Sequence, residues 1–196
     1  PAVFAQRLAT IDHISKGRAA LALGVGESMN LDAYGIPWDK PFERMVESVE
    51  AMKLLWSTKE PVNFEGDFFN MNQASLLLNL YEDRPSVPFY FATHTDKGLD
   101  LTGRIGDGWM PIDLTPDLYK ESLDKIITSA NQTGRTSDDI DSTLWVFTSL
   151  GENEDEAYKT LEPFRYVCIM QDQLKRAGYD IDIPEEYKGL NYFNIT

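Results

Sequence analysis

Apolar and polar positions alternate along this chain in two rhythms, and the switches between them predict its elements. From Pro1 a helical pattern begins, with Phe4, Leu8 and Ile11 on one face and Ala2, Ala5 and Ala9 between, closing near Gly17 as a C-cap position. "AALALGVG" is a short apolar run bounded by glycines and predicts a buried strand. Residues 27 to 41 read as a loop carrying Gly35, Pro37, Trp38 and Pro41. An amphipathic helix follows, with Phe42, Met45, Val46, Val49, Met52 and Trp56 at helical spacing, Asp39 as its N-cap and Pro41 in its first turn. "VNFEGDFFNM" predicts a hairpin about Glu65-Gly66-Asp67, followed by a less regular stretch to Pro88.

Three more single strands alternate with helices. "PFYFAT" is followed by a short helix with Leu99, Leu101 and Ile105, closed by "GDG". "GWMPI" leads to a helix capped at Thr115-Pro116, with Leu118, Leu123, Ile126, Ile127 and Ala130, ending near Gly134. "STLWVFTSL" precedes a long helical segment from about Asn153 to Gly178, which Pro163 must kink. Lone strands between helices imply parallel β/α units, hence either a doubly wound sheet or a (β/α)₈ barrel. A barrel of about 200–250 residues has eight such units. Four strands of that kind are found here, and the abrupt start and end read as a fragment.

Composition narrows the partners. The chain has 196 residues, with 18 basic and 32 acidic side chains and a formal net charge of −14. Such a body does not attract nucleic acid or an anionic membrane surface. A single cysteine, Cys168, excludes an intramolecular disulfide and reads as a small buried hydrophobe. With only His13 and His94 besides, no metal site is expected. No apolar run is long enough for a membrane span, so a cytoplasmic protein is expected.

Candidate chemistry gathers at strand ends, where ligands sit in both parallel architectures. After the first strand, Gly24 and Gly26 lack a Cβ and so admit a planar or phosphorylated ligand close to the main chain, with Glu27 and Asn30 following. The same glycines also suit a plain tight turn with Glu27 merely solvated. The spacing is not the dinucleotide fingerprint, which needs glycine where Met29 stands. After the second strand, Thr93, His94, Thr95, Lys97 and Gly98 combine hydroxyls, an imidazole and an ammonium near a helix start. That set suits a phosphate, or equally an ordinary N-cap by Thr95 or Asp96. Trp109 and His13 read as structural, and Arg18 and Arg104 as braces for strand ends.

Taken together, "PAVFAQRLATIDHISKGRAALALGVGE", "YGIPWDKPFERMVESVEAMKLLW", "VNFEGDFF", "VPFYFAT" and "LTGRIGDGW" resemble the luciferase-like monooxygenase superfamily over roughly residues 1 to 112. "GVGESMN" is most similar to the branch that uses coenzyme F420. The resemblance implies a partial (β/α)₈ TIM barrel, a single domain over 1–196 that supplies about strands four to seven. Residues 57–87 would then hold the hairpin as an insertion. It implies an oxidoreductase that transfers a hydride between F420 and a small organic substrate of the alcohol, sugar phosphate or pterin class. Val25, Gly26 and Asn30 would contact the cofactor, Glu27 would be the acid beside the reacting ring, and His94, Thr95, Lys97 and Gly98 further contacts. A carboxylate in a low-dielectric pocket there would serve as acid or base.

The sugar-phosphate members carry threonine and lysine after strand six, where this chain has Ile112 and Thr115, which argues against glucose 6-phosphate. Relatives often have Gly-Gly-Pro in the strand-five loop, where this chain has His94-Thr95-Asp96. The alternatives are an FMN-dependent monooxygenase of the same superfamily and a truncated, non-catalytic relative acting as a binding protein. A homodimer is expected, with the Phe42–Trp56 helix as its candidate interface.

Overall fold

A computed structural model describes residues 1–112 and 114–161, together with residues 175, 178, 179 and 185. The expected kink at Pro163, the expected burial of Cys168 and most of the long C-terminal helical segment lie outside the described residues. Helix α1 (Ala2–Ser15) leads to strand β1 (Leu21–Leu23), a short helix α2 (Ser28–Asp32) and helix α3 (Pro41–Trp56). The hairpin β2 (Val62–Glu65) and β3 (Asn70–Ala74) follows, then β4 (Phe89–Phe91), α4 (Asp96–Ile105), β5 (Gly108–Trp109), α5 (Pro116–Gln132), β6 (Asp141–Ser142) and α6 (Glu154–Leu161). Strands β1, β4, β5 and β6 form one sheet in that order, each pair parallel. Leu21 pairs with Phe89, Tyr90 with Gly108 and Gly108 with Asp141. The hairpin is a separate antiparallel pair.

The two faces of the sheet differ. Leu21, Leu23, Phe89 and Phe91 point to the helices and pack with Val49, Met52, Leu55 and Trp56 of α3 and Ala5, Leu8 and Ala9 of α1. Beyond them, Trp109, Leu99 and Ile126 form a second cluster with α4 and α5. The opposite face, with Ala22 and Ala92 on it, is exposed. The expected buried strand β1 is thus covered on its helix side, through Leu21 and Leu23, and exposed on the other. A sheet clad with helices on one face leaves every second residue uncovered.

Helix α1 turns differently from its apolar pattern. Ala5, Ala9 and Asp12 are fully buried, while Phe4 and Ile11 are more than half exposed. Close approach to α3 decides this: the small Ala5 lets the Trp56 indole N–H donate to its carbonyl oxygen at 3.2 Å. The αL stop begins at Lys16 and runs into Gly17, whose N–H returns to Asp12 O at 2.9 Å. In α3 the apolar stripe is spent on the chain's own core. Asp39 does not cap it; Lys40, in the left-handed region, stands at the N-cap with no side-chain bond. The fourth expected strand is reduced to β6 plus an Ile112–Trp145 bridge. Leu144, Trp145, Val146 and Phe147 are exposed, and among the described residues no strand pairs with β6 on its outer side.

Polar side chains fix the corners. Asp12, fully buried, accepts from Arg84 Nε at 2.9 Å and from the Tyr81 N–H at 3.0 Å, and Arg84 also donates to Ala19 O. Arg135 stops α4 by donating to Gly103 O at 2.7 Å and Gly106 O at 2.6 Å. Arg18 and Arg104 do not brace strands: Arg18 donates to Ser15 O at the end of α1, and Arg104 pairs with Asp100 one turn away. His13 is structural as expected, bonded to Asn79 O at 3.0 Å and edge-on to Tyr81. Among the described residues, no helix is long and apolar enough to cross a membrane.

Candidate active site

Parallel pairing brings the C-terminal ends of β1 and β4 to one edge, so the loops that follow them are neighbours. The Ala92 N–H donates to Leu23 O at 2.7 Å, and a Cβ on Gly24 would stand 3.6 Å from Ala92 O. Ala22, Gly24 and Ala92 thus make an exposed strip of small residues on the open face. Next comes Gly26 at φ +79°, a conformation that costs other residues about 1–2 kcal/mol. Its outer side is backed by Leu31 and Trp38, 3.4 and 3.6 Å from where a Cβ would lie.

Glu27 follows in extended conformation as the N-cap of α2, a helix the sequence reading took as loop. A capping role does not explain this acid, since its side chain makes no cap bond and glutamate is not a favoured N-cap residue. Its Oε2 instead accepts from the side-chain amide of Asn30 at 3.0 Å, while its carbonyl receives the Asn30 and Leu31 N–H groups. The expected enclosure is not found: Val25, Gly26, Glu27 and Asn30 are all exposed. Glu27 and Asn30 face solvent as a joined pair beside the strip of small side chains.

The second loop divides its residues between roles. Thr95 is the N-cap of α4, its hydroxyl accepting from the Gly98 N–H at 3.2 Å. Gly98 is buried against Thr93, where any Cβ would collide with the threonine hydroxyl. His94 is exposed on the same edge. Lys97 reaches across to α3, where it pairs with Glu43 and lies 4.2 Å from the centre of the Phe42 ring. That hydrogen bond holds the Glu43 carboxyl below its ordinary value. An anion must therefore compete with Glu43 for Lys97. Trp109 belongs to the core as expected, fully buried with its indole N–H on Thr93 O at 3.0 Å.

Two features escaped the sequence reading. Tyr90, on the open face, donates to Asp141 Oδ2 at 2.6 Å, and this bond, followed by burial, pushes its phenol up to about 12. Gly108 permits it, because a Cβ there would lie 2.3 Å from the Tyr90 ring. Glu47 of α3 accepts the N–H groups of Asp67, Phe68 and Phe69 and so fastens the hairpin turn, and Gly66 leaves the room this takes. A glutamate beside the apolar stripe of α3 and a glycine before two phenylalanines were the available signals.

The chain matches the luciferase-like monooxygenase family model over residues 1–189. It is 32% identical over 165 residues to the phthiodiolone/phenolphthiodiolone dimycocerosates ketoreductase of Mycobacterium tuberculosis, covering 83% of this chain and 43% of that protein. It is 35% identical over 180 residues to the F420-dependent glucose-6-phosphate dehydrogenase of Kineococcus radiotolerans, covering 88% and 52%. The coenzyme F420-dependent tetrahydromethanopterin reductase structure from Methanopyrus kandleri superposes with a TM-score of 0.77 at 25% identity, over 91% of this chain and 56% of that one. The chain spans about half the length of the curated relatives it matches. With a parallel β/α sheet of that fold and a family match along most of its length, the chain belongs to the luciferase-like monooxygenase family.

Proposed function

We propose that this chain carries one wall of the coenzyme F420 site in an oxidoreductase that moves a hydride between the deazaflavin and a small organic substrate. The observation that carries the reading is the exposed Glu27–Asn30 pair at the C-terminal edge of β1, next to side chains no larger than alanine. That strip fits a flat ring system: Ala22, Gly24 and Ala92 offer no projecting side chain, and Gly26 keeps the bend open. Val25, Gly26 and Asn30 would hold the ring, with His94, Thr95 and Lys97 on the neighbouring loop. Gly98 serves by letting α4 start close to the strand. The names of the dehydrogenase and the reductase, both F420-dependent, support the cofactor.

When bound, the deazaflavin supplies a ring carbon that gives or takes the hydride. Glu27 handles the proton: as an alcohol becomes a carbonyl its hydroxyl hydrogen passes to a carboxylate oxygen, and the reverse reaction returns it. The side-chain amide of Asn30 donates to Oε2 and so holds that carboxylate in place, leaving Oε1 for the proton. An alcohol, ketone or pterin suits the chain better than a sugar phosphate, since Ile112 and Thr115 stand where sugar-phosphate members carry threonine and lysine. Thr115 is moreover the N-cap of α5.

Single-turnover hydride transfer in full-length protein carrying Glu27→Gln tests the assignment, and an undiminished rate would remove Glu27 from the reaction. The absorbance of the protein with its cofactor separates F420 from FMN, the second reading the family leaves open. A cytoplasmic homodimer stays part of the proposal, and light scattering of the full-length protein decides its oligomeric half.

A further inference from the structure

We infer a second ligand site, on the helix side of β1 and bordering the deazaflavin wall, for a small carboxylate with an apolar tail. A cavity of about 260 Å³ lies behind the C-terminal end of β1. It is on the helix side, since Leu23, which packs into the core, forms part of its wall. Val25, Leu31, Trp38, Met45 and Phe69 are among the other lining residues, with Gly24 at the strand end and Pro1 and Phe4 at the start of α1. The volume is below the roughly 300–1,000 Å³ of sites that enclose drug-sized ligands. A tricyclic cofactor does not fit; a short apolar tail does.

One wall is charged. Arg44 and Ser48 stand one turn apart on α3 and both line the cavity. Among the described residues, Arg44 Nε is buried with no hydrogen-bond partner, and the guanidinium lies 4.4 Å from the centre of the Phe68 ring. A buried donor on a charged group is costly to leave unmet, and the group that answers a guanidinium in its own plane is a carboxylate. Ser48 is no rival donor, because its hydroxyl already serves Arg44 O at 2.8 Å. Among the described residues Arg44 is the one basic side chain in this lining, and no aspartate or glutamate shares it. One cation matches one negative charge, which favours a carboxylate over a phosphate monoester carrying about −1.5 to −2.

The absence of acids matters on a chain of net charge −14, because it lets an anion enter here. The cavity borders the proposed cofactor wall, since Gly24 and Val25 belong to both, but the carboxylate reading rests on Arg44 and does not require the cofactor.

Hexanoate is the probe, titrated into the full-length protein by calorimetry, with hexan-1-ol as its uncharged counterpart. The expected result is saturable one-to-one uptake of hexanoate that weakens at least tenfold in Arg44→Gln, while the alcohol binds both forms alike. Ser48→Leu, which fills the cavity from its α3 wall, should abolish binding of both probes. A measurement on the unaltered wall guards against a variant that fails to fold: ω-bromohexanoate should quench tryptophan emission, and the quenching should vanish in Trp38→Phe. Absence of saturable hexanoate binding by the unaltered protein overturns the proposal. So does equal affinity in Arg44→Gln, or quenching that survives the loss of Trp38.

Discussion

Strand β1 has a carboxylate beyond each end, and their fates are opposite. Asp12, before its N-terminal end, is wholly buried and surrounded by donors from Arg84, Tyr81 and Ala19. Glu27, after its C-terminal end, is exposed and holds one side-chain amide. The difference follows the polarity of parallel β/α units, in which one edge of the sheet carries stability and the other carries ligands. An acid whose acceptor capacity is saturated by the protein has none to offer a substrate. Glu27 retains most of its own.

The largest effect that separates the two ends is on rate. Glu27→Gln in the full-length protein should lower hydride transfer about 10²- to 10⁴-fold, the usual span for loss of a general acid or base, while shifting the urea midpoint little. Asp12→Ala should do the reverse. Removing one partner from a buried ion pair costs about 3–5 kcal/mol, seen as an earlier urea midpoint, with turnover per folded molecule retained. A smaller effect belongs to the bend. Gly26→Ala must hold alanine at φ +79°, so a penalty of about 1–2 kcal/mol should appear as an earlier urea midpoint.

The smallest concerns Tyr90, whose phenol is raised from its ordinary 10.0 to about 12 in the fold. A group that keeps its proton more firmly when folded adds stability below its unfolded value and loses it as pH climbs through the folded one. Stability should therefore fall between about pH 10 and 12, and Tyr90→Phe should flatten that part of the curve in denaturant titrations at stepped pH.

The repeating β/α rhythm was plain in the sequence because single apolar runs between helical stripes have few other outcomes. So was the location of the glycine bend, since Gly24 and Gly26 directly follow "LAL". Helix α2 was hidden by its length of five residues, which gives no periodicity to read. The exposed stripe on α1 was hidden for another reason: Phe4 and Ile11 are as apolar as Leu8, and only the close approach of Trp56 at Ala5 decides which face turns inward. Long-range polar ties such as Asp12 to Arg84 or Glu47 to the hairpin join residues that no local pattern connects. The role of Lys97 was misleading for the same cause: its partner Glu43 lies 54 positions away.

The hairpin is fastened twice: at its tip by Glu47, and at its base by Val62 and Ala74, which pack on the core with Leu76 and Leu78. Loss of the Glu47 carboxylate would consequently free the turn that carries Phe68 and Phe69 while the base of the ribbon stays seated.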